Sequence, residues 1–126
     1  MKIEHKWPLL CFLCLMALEL GCESVKSGTR NTVGFVRGRY TDMIAQRLEK
    51  VCSAATDATD SLKFQLSEKQ CDALSGRIIA RDALDKKITI KLTRVDTRMT
   101  RVEIQVGAIG DKAISEAIIE EIKKHL

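Results

Sequence analysis

The chain contains five cysteines, and their spacing sets out the chemistry open to it. Cys11 and Cys14 have the CxxC separation used by metal-binding and redox thiols. They lie, however, inside residues 7–18 (WPLLCFLCLMAL), an uncharged apolar run, so a site built there is lost if that run is removed. Cys22 follows Leu20 and Gly21, directly after the apolar run and Glu19. Cys52 and Cys71 are the remaining pair. Outside the cytoplasm an even pair usually oxidises, and a bridge between a helix and a strand region would close a loop worth roughly 3 kcal/mol. The alternative is two buried free thiols. In either case the pair would be structural rather than catalytic.

Other reactive constellations are sparse. After the first segment the sole histidine is His125, one residue from the end, where a positioned base is hard to hold. A Ser-His-Asp arrangement would have to be built on it. Metal binding lacks a second histidine or clustered ligand spacing, so neither metal nor cofactor is expected. Asp57 and Asp60 share one helix face and read as solvated. Residues 107–111 (GAIGD) can present backbone amides to an anion, but Asp111 would occupy that helix N-terminus itself. The best candidate binding surface is cationic: Arg77, Arg81 and Lys91 with Arg101, near Arg94 and Arg98 and interrupted by Glu103. Such a face suits a lipid headgroup, a polysaccharide or a phosphate. Nucleic acid is not expected, because aromatic residues make up only 4% of the chain and none interleave with these cations.

The residues before Cys22 have the layout of a bacterial secretory signal. Lys2 and Lys6 precede the apolar run, which at about 12 residues is shorter than the roughly 20 needed to span a bilayer. Cleavage before Cys22 would leave a cysteine to be acylated, so the chain is expected to divide into a signal (1–21), a lipidated N-terminus with a polar tether (22–32) and one domain (33–126). Glu19 departs from the aliphatic residue usual three positions before such a cysteine. An uncleaved anchor, or cleavage elsewhere, is the alternative. Glu23 is not the aspartate linked to inner-membrane retention, which leans the expectation towards the outer membrane. The charges of 1–21 cancel, so the net charge of +4 stays with the domain.

The elements of the domain must position the candidates. Residues 33–40 are β-branched and aromatic, and read as a short edge strand or as the lead-in to a helix. Thr41 is placed to cap that helix, whose apolar stripe runs through Ile44, Leu48, Val51, Ala55 and Leu62. The small residues 53–61 imply close packing or fraying, and Ser67, Glu68 and Lys69 read as a connection. Three runs then alternate with period two: 74–81, 88–93 and 100–106. Asp111 caps a closing helix with Ile114, Ala117, Ile118 and Ile122 on its buried stripe. The expected fold is α+β: a two-layer sandwich of helix, three-stranded antiparallel meander and helix.

Cys22 after Gly21, the helix after Gly38, Arg39 and Tyr40, and the ending VEIQVGAIGDKAISEAIIEEIKKHL together resemble small bacterial lipoproteins grouped as a domain of unknown function. The matching positions are Val106, Gly107, Gly110, Asp111 and Ser115. The resemblance implies a periplasmic location and no known activity. Together these readings lead to a non-catalytic envelope protein anchored through Cys22, meeting an envelope protein or an anionic envelope component. A small hydrolase would need a cleft with an activated nucleophile. The mass of the mature N-terminal peptide tests the anchor: it should carry a diacylglyceryl cysteine that Cys22→Ala abolishes, whereas an unmodified or uncleaved N-terminus means that Glu19 defeats the signal.

Overall fold

The computed structural model describes residues 34–126, so the expected signal, Cys22 and the tether lie outside the described residues. The elements are β1 (Gly34–Val36), β2 (Arg39–Ile44), α1 (Leu48–Ser61), β3 (Gln65–Cys71), β4 (Ser75–Arg81), β5 (Lys87–Asp96), β6 (Met99–Val106) and α2 (Lys112–Lys124). The strands form one antiparallel sheet in the order β1-β2-β6-β5-β4-β3. The fold is α+β with both helices on one face. That face supplies Ile44, Ile78, Ile88, Ile90, Leu92, Val102, Ile104 and Val106 to a core shared with Leu48, Val51, Ala54, Ala55 and Ala58 of α1 and Ile118, Ile119 and Ile122 of α2. The three alanines keep α1 close to the sheet, so the run of small residues packs rather than frays.

The expected three-stranded meander is the middle of a six-stranded sheet. Thr41 does not cap a helix but sits in β2, paired with Glu103 of β6. The helix begins at Leu48, with Arg47 at its N-cap and no side-chain cap. Ile44 and Leu48 have helical spacing yet belong to different elements that meet in one core. Within β2, Asp42 and Ile44 face the helices and are buried, while Arg39, Thr41 and Met43 face the other way. The backbone groups on the open edge of β6 are satisfied by this strand. Ser67, Glu68 and Lys69 likewise lie inside β3, paired with β4 through a bulge between Leu66 and Glu68. Every residue of β3 is exposed, so no apolar alternation marks it. Leu74, expected on the apolar face, instead stands exposed in the β3–β4 turn, and Ile79, on the opposite face, is buried.

Aspartates begin the three hairpin turns of β3 to β6. Asp72 Oδ1 accepts from Leu74 N and Ser75 N, Asp82 Oδ1 from Leu84 N and Lys86 N, and Asp96 Oδ1 from Arg98 N. The two amides hold the Asp72 carboxyl below the usual carboxylate range. Asp111 caps α2, its Oδ1 accepting from Ile114 N at 3.0 Å. The β1–β2 turn uses Arg37 (φ 52°) and Gly38 (φ 79°), the double positive φ of a type I′ hairpin. Gly38 also touches Gly110 so closely that a Cβ on either would strike the other turn's backbone.

Two cross-links tie the layers together. Cys52 of α1 and Cys71 of β3 form a disulfide with Cα atoms 6.7 Å apart. Gly76, opposite Cys71, makes room for it, since a Cβ there would lie 3.1 Å from Cys71 Sγ and 3.2 Å from Leu92 Cδ1. At the other side, buried Asp42 meets Lys123 of α2, Oδ2 to Nζ 2.9 Å, and its Oδ1 accepts from Met43 N at 2.7 Å. The hydrogen bond that Lys123 donates to Asp42 raises the Lys123 pKa above its ordinary value, outweighing partial burial.

Both cross-links can be probed by substitution. Replacing Cys71 by Ser should cost about 3 kcal/mol in urea unfolding and speed amide exchange selectively in β3; an unchanged midpoint would show that the bridge constrains nothing. Asp42→Ala should cost about 1–2 kcal/mol, discounted because Lys123 is half exposed. Because the Lys123 pKa is raised on folding, the stabilisation from this pair is present below the ordinary lysine pKa. It fades as pH climbs through the raised value, so the gap between wild type and Lys123→Met should close only in strongly alkaline buffer.

Candidate functional site

With the helices on one face, the pleat sends the alternate residues of every strand to the other. There the register lines up Gln70, Arg77, Lys91 and Glu103 across β3, β4, β5 and β6. A neighbouring row carries Arg39, Gln105 and Thr89 across β2, β6 and β5. These residues, with Lys87 and the Asp72–Gly76 turn, line a recess of about 550 Å³. Its lining side chains are polar or charged, and their aliphatic stems share the surface with the polar atoms. Four cations (Arg39, Arg77, Lys87 and Lys91) stand against two carboxylates (Glu103 and Asp72), and Gln70, Gln105, Thr89 and Ser75 add neutral donors and acceptors. Among the described residues none of the four cations, nor Glu103, makes an ion pair within 4.0 Å.

Of the four cations that the sequence singles out, Arg77 and Lys91 enter the recess and two do not. Arg81 is drawn to the β4–β5 turn, where its guanidinium donates to Asp85 O at 3.1 Å and lies 3.7 Å from the Asp85 carboxylate. Arg101 is half-buried on the same face as the recess, opposite Thr93 and Met43, and does not line it. Arg39 and Lys87 escape the sequence reading, which puts one in a short edge strand or helix lead-in and the other in a connection. The signal for Arg39 is its alternation with Thr41 and Met43 against Tyr40, Asp42 and Ile44.

The histidine is drawn into a different arrangement. Ser61 Oγ, at the end of α1, is 3.0 Å from His125 Nε2, and Glu121 Oε1 is 3.5 Å from that same nitrogen. A proton relay needs the hydroxyl on one ring nitrogen and the carboxylate on the other. Here both approach Nε2, so the contact clasps the ends of the two helices and does not form a triad. Tyr40, on the helix side of β2, has its phenol pKa raised by burial first and by the Asp42 charge second. No group of three or more metal-ligating side chains occurs among the described residues. None of their helices is long and apolar enough to cross a membrane.

A family model described as "Protein of unknown function (DUF3568)" matches residues 6–125. The chain belongs to this family. No curated protein matches it. Membership in DUF3568 therefore agrees with the domain of unknown function named in the sequence resemblance, and what a member of the family does has to be argued from the recess itself. A cavity of this size falls within the range of small-molecule sites, but such sites usually have apolar walls. The walls here suit a hydrophilic anion that also carries hydroxyls: cations and amides for its charged groups, Glu103 and Asp72 as acceptors for its hydroxyls.

Proposed function

We propose that the chain is a non-catalytic envelope protein, held at a membrane through acylated Cys22, whose domain binds an anionic, hydroxyl-bearing envelope component in the recess of the sheet. One observation carries the reading: Arg39, Arg77, Lys87 and Lys91 are brought together from β2, β4 and β5 around one polar recess without an ion-pair partner among the described residues. Four cations so placed repel one another, and a bound anion relieves that repulsion. The order of the N-terminal residues (lysines, a short apolar run, Gly21 and Cys22) supports the anchor. On this reading the ligand is a phosphorylated or carboxylated saccharide, or a lipid headgroup of the same chemistry.

Titration with glucose 6-phosphate, inorganic phosphate and glucose, followed by amide chemical shifts, tests the recess. Glucose 6-phosphate should bind more tightly than either fragment, with shifts at Arg77, Thr89, Lys91 and Gln105. Added salt should weaken it. The pair Arg77→Glu and Lys91→Glu should lower its affinity on the order of tenfold or more. Equal binding by that variant, or shifts elsewhere on the domain, would remove the recess as the site.

A further inference from the structure

The end of the sheet where β1 turns into β2 carries a second surface, which shares only Arg39 and Lys87 with the recess. Three turns meet there: 37–38, 82–86 and 107–111. Gly38 touches Gly110, Gly107 N donates to Lys87 O at 2.7 Å, and the Lys86 side chain lies against Gly107. Two of these turns hold up the most exposed large apolar side chains among the described residues, Ile109 at 90% and Leu84 at 84%, and Val36 beside the third is 55% exposed. Neither tip is loosely built. Asp82 accepts from the amides of Leu84 and Lys86, and Asp111 caps α2 immediately after Ile109 and Gly110. Apolar side chains fixed outward on braced turns cost solubility without contributing to the core.

Their surroundings are cationic. Arg37, Arg39, Arg81, Lys86, Lys87 and Lys112 lie in or beside the three turns, against Asp82, Asp85 and Asp111. The acids are engaged in building the turns and the helix cap, or in holding Arg81, whereas Lys86 and Lys87 make no ion pair among the described residues. The opposite end also exposes two apolar residues, Leu74 and Val95, beside Arg47, Arg94 and Arg98, but at 69% and 47% they stand out less than Ile109 and Leu84, and the cations there are fewer. Exposed aliphatic tips inside a ring of lysine and arginine match a surface that is apolar below and negative above: the headgroup layer of a bilayer containing anionic lipid.

We propose that this end of the domain docks on an anionic membrane, with Ile109 and Leu84 entering the acyl boundary and Arg37 and Lys86 meeting lipid phosphates. The inference rests on the anchored reading for the nearness of the membrane. Cys22 and the start of β1 at Gly34 lie twelve positions apart, a length that spans at most about 40 Å. Docking by the turns would leave the recess on the sheet's flank, reachable from the side.

The test places one tryptophan at each end of the full chain. With Trp7→Phe removing the only native one, Ile109→Trp reports the docking end and Leu74→Trp the opposite end. Each chain is reconstituted into vesicles of phosphatidylglycerol with phosphatidylcholine, and into phosphatidylcholine alone. Emission from Ile109→Trp should move to shorter wavelength and be quenched by acyl-chain bromines only where phosphatidylglycerol is present. High salt, or Arg37→Glu with Lys86→Glu, should abolish both effects, and Leu74→Trp should not respond. Identical emission of Ile109→Trp in the two vesicle types, or an equal response from Leu74→Trp, overturns the proposal. The readout is local, so it holds whether an acyl group or the apolar segment 7–18 retains the chain. Acylated Cys22 without a tip response defeats docking alone, and a tip response without acylation defeats the anchor alone.

Discussion

The structure depends on one constraint: the sheet can be covered on only one side. The inward residues of β4, β5 and β6 form a continuous aliphatic surface, from Ile78 through Ile90 to Ile104, that must be removed from water. Among the described residues two helices cover it, side by side, joined at their ends by the contact of Ser61 with His125. The rest of the interior is adjusted to that arrangement. The alanines of α1 set its distance from the sheet, and the buried polar groups that remain are each answered, Thr100 by Gln46 O, Thr59 by Ala55 O and Ser115 by Asp111 O. No unsatisfied buried side-chain polar atom is left among the described residues.

Covering one face also decides what the other can be. Apart from Ile79, most residues on the uncovered face keep contact with water, so charge is tolerated there and register decides which charges become neighbours. Arg77, Lys91 and Glu103 share a row because β4, β5 and β6 are consecutive hairpins with short aspartate-led turns. Arg39 joins them only because β2 leaves sequence order and pairs beside β6. The recess is thus a product of topology as much as of composition.

The same constraint explains how much of the fold is legible in the sequence. Strands β4, β5 and β6 and helix α2 can be read directly, because aliphatic alternation, the aspartate before each turn and the Asp111 cap all agree. Strand β2 reads as helix because Ile44, Leu48 and Val51 have helical spacing; only the free edge of β6, invisible to local pattern, favours the extended form. Strand β3 escapes for the opposite reason. Exposed on both sides, it has no apolar period to show, and it is held by backbone pairing and by Cys71. Half of the recess cations are consequently hidden, since Arg39 lies in the element that mimics a helix and Lys87 at a strand boundary.

The sheet's two borders have a consequence for crowding. A protein confined to a surface meets copies of itself at far higher local concentration than in bulk, and an open strand edge invites one sheet to continue into the next. Here one border, β1, is only three residues long, too short to template a neighbour. The other, β3, is longer, but a bulge breaks its register, Glu68 and Lys69 put charge on both of its sides, and the bond from Cys71 to Cys52 ties its end to the helix layer. The domain can therefore stand densely among its own kind without fusing into a shared sheet.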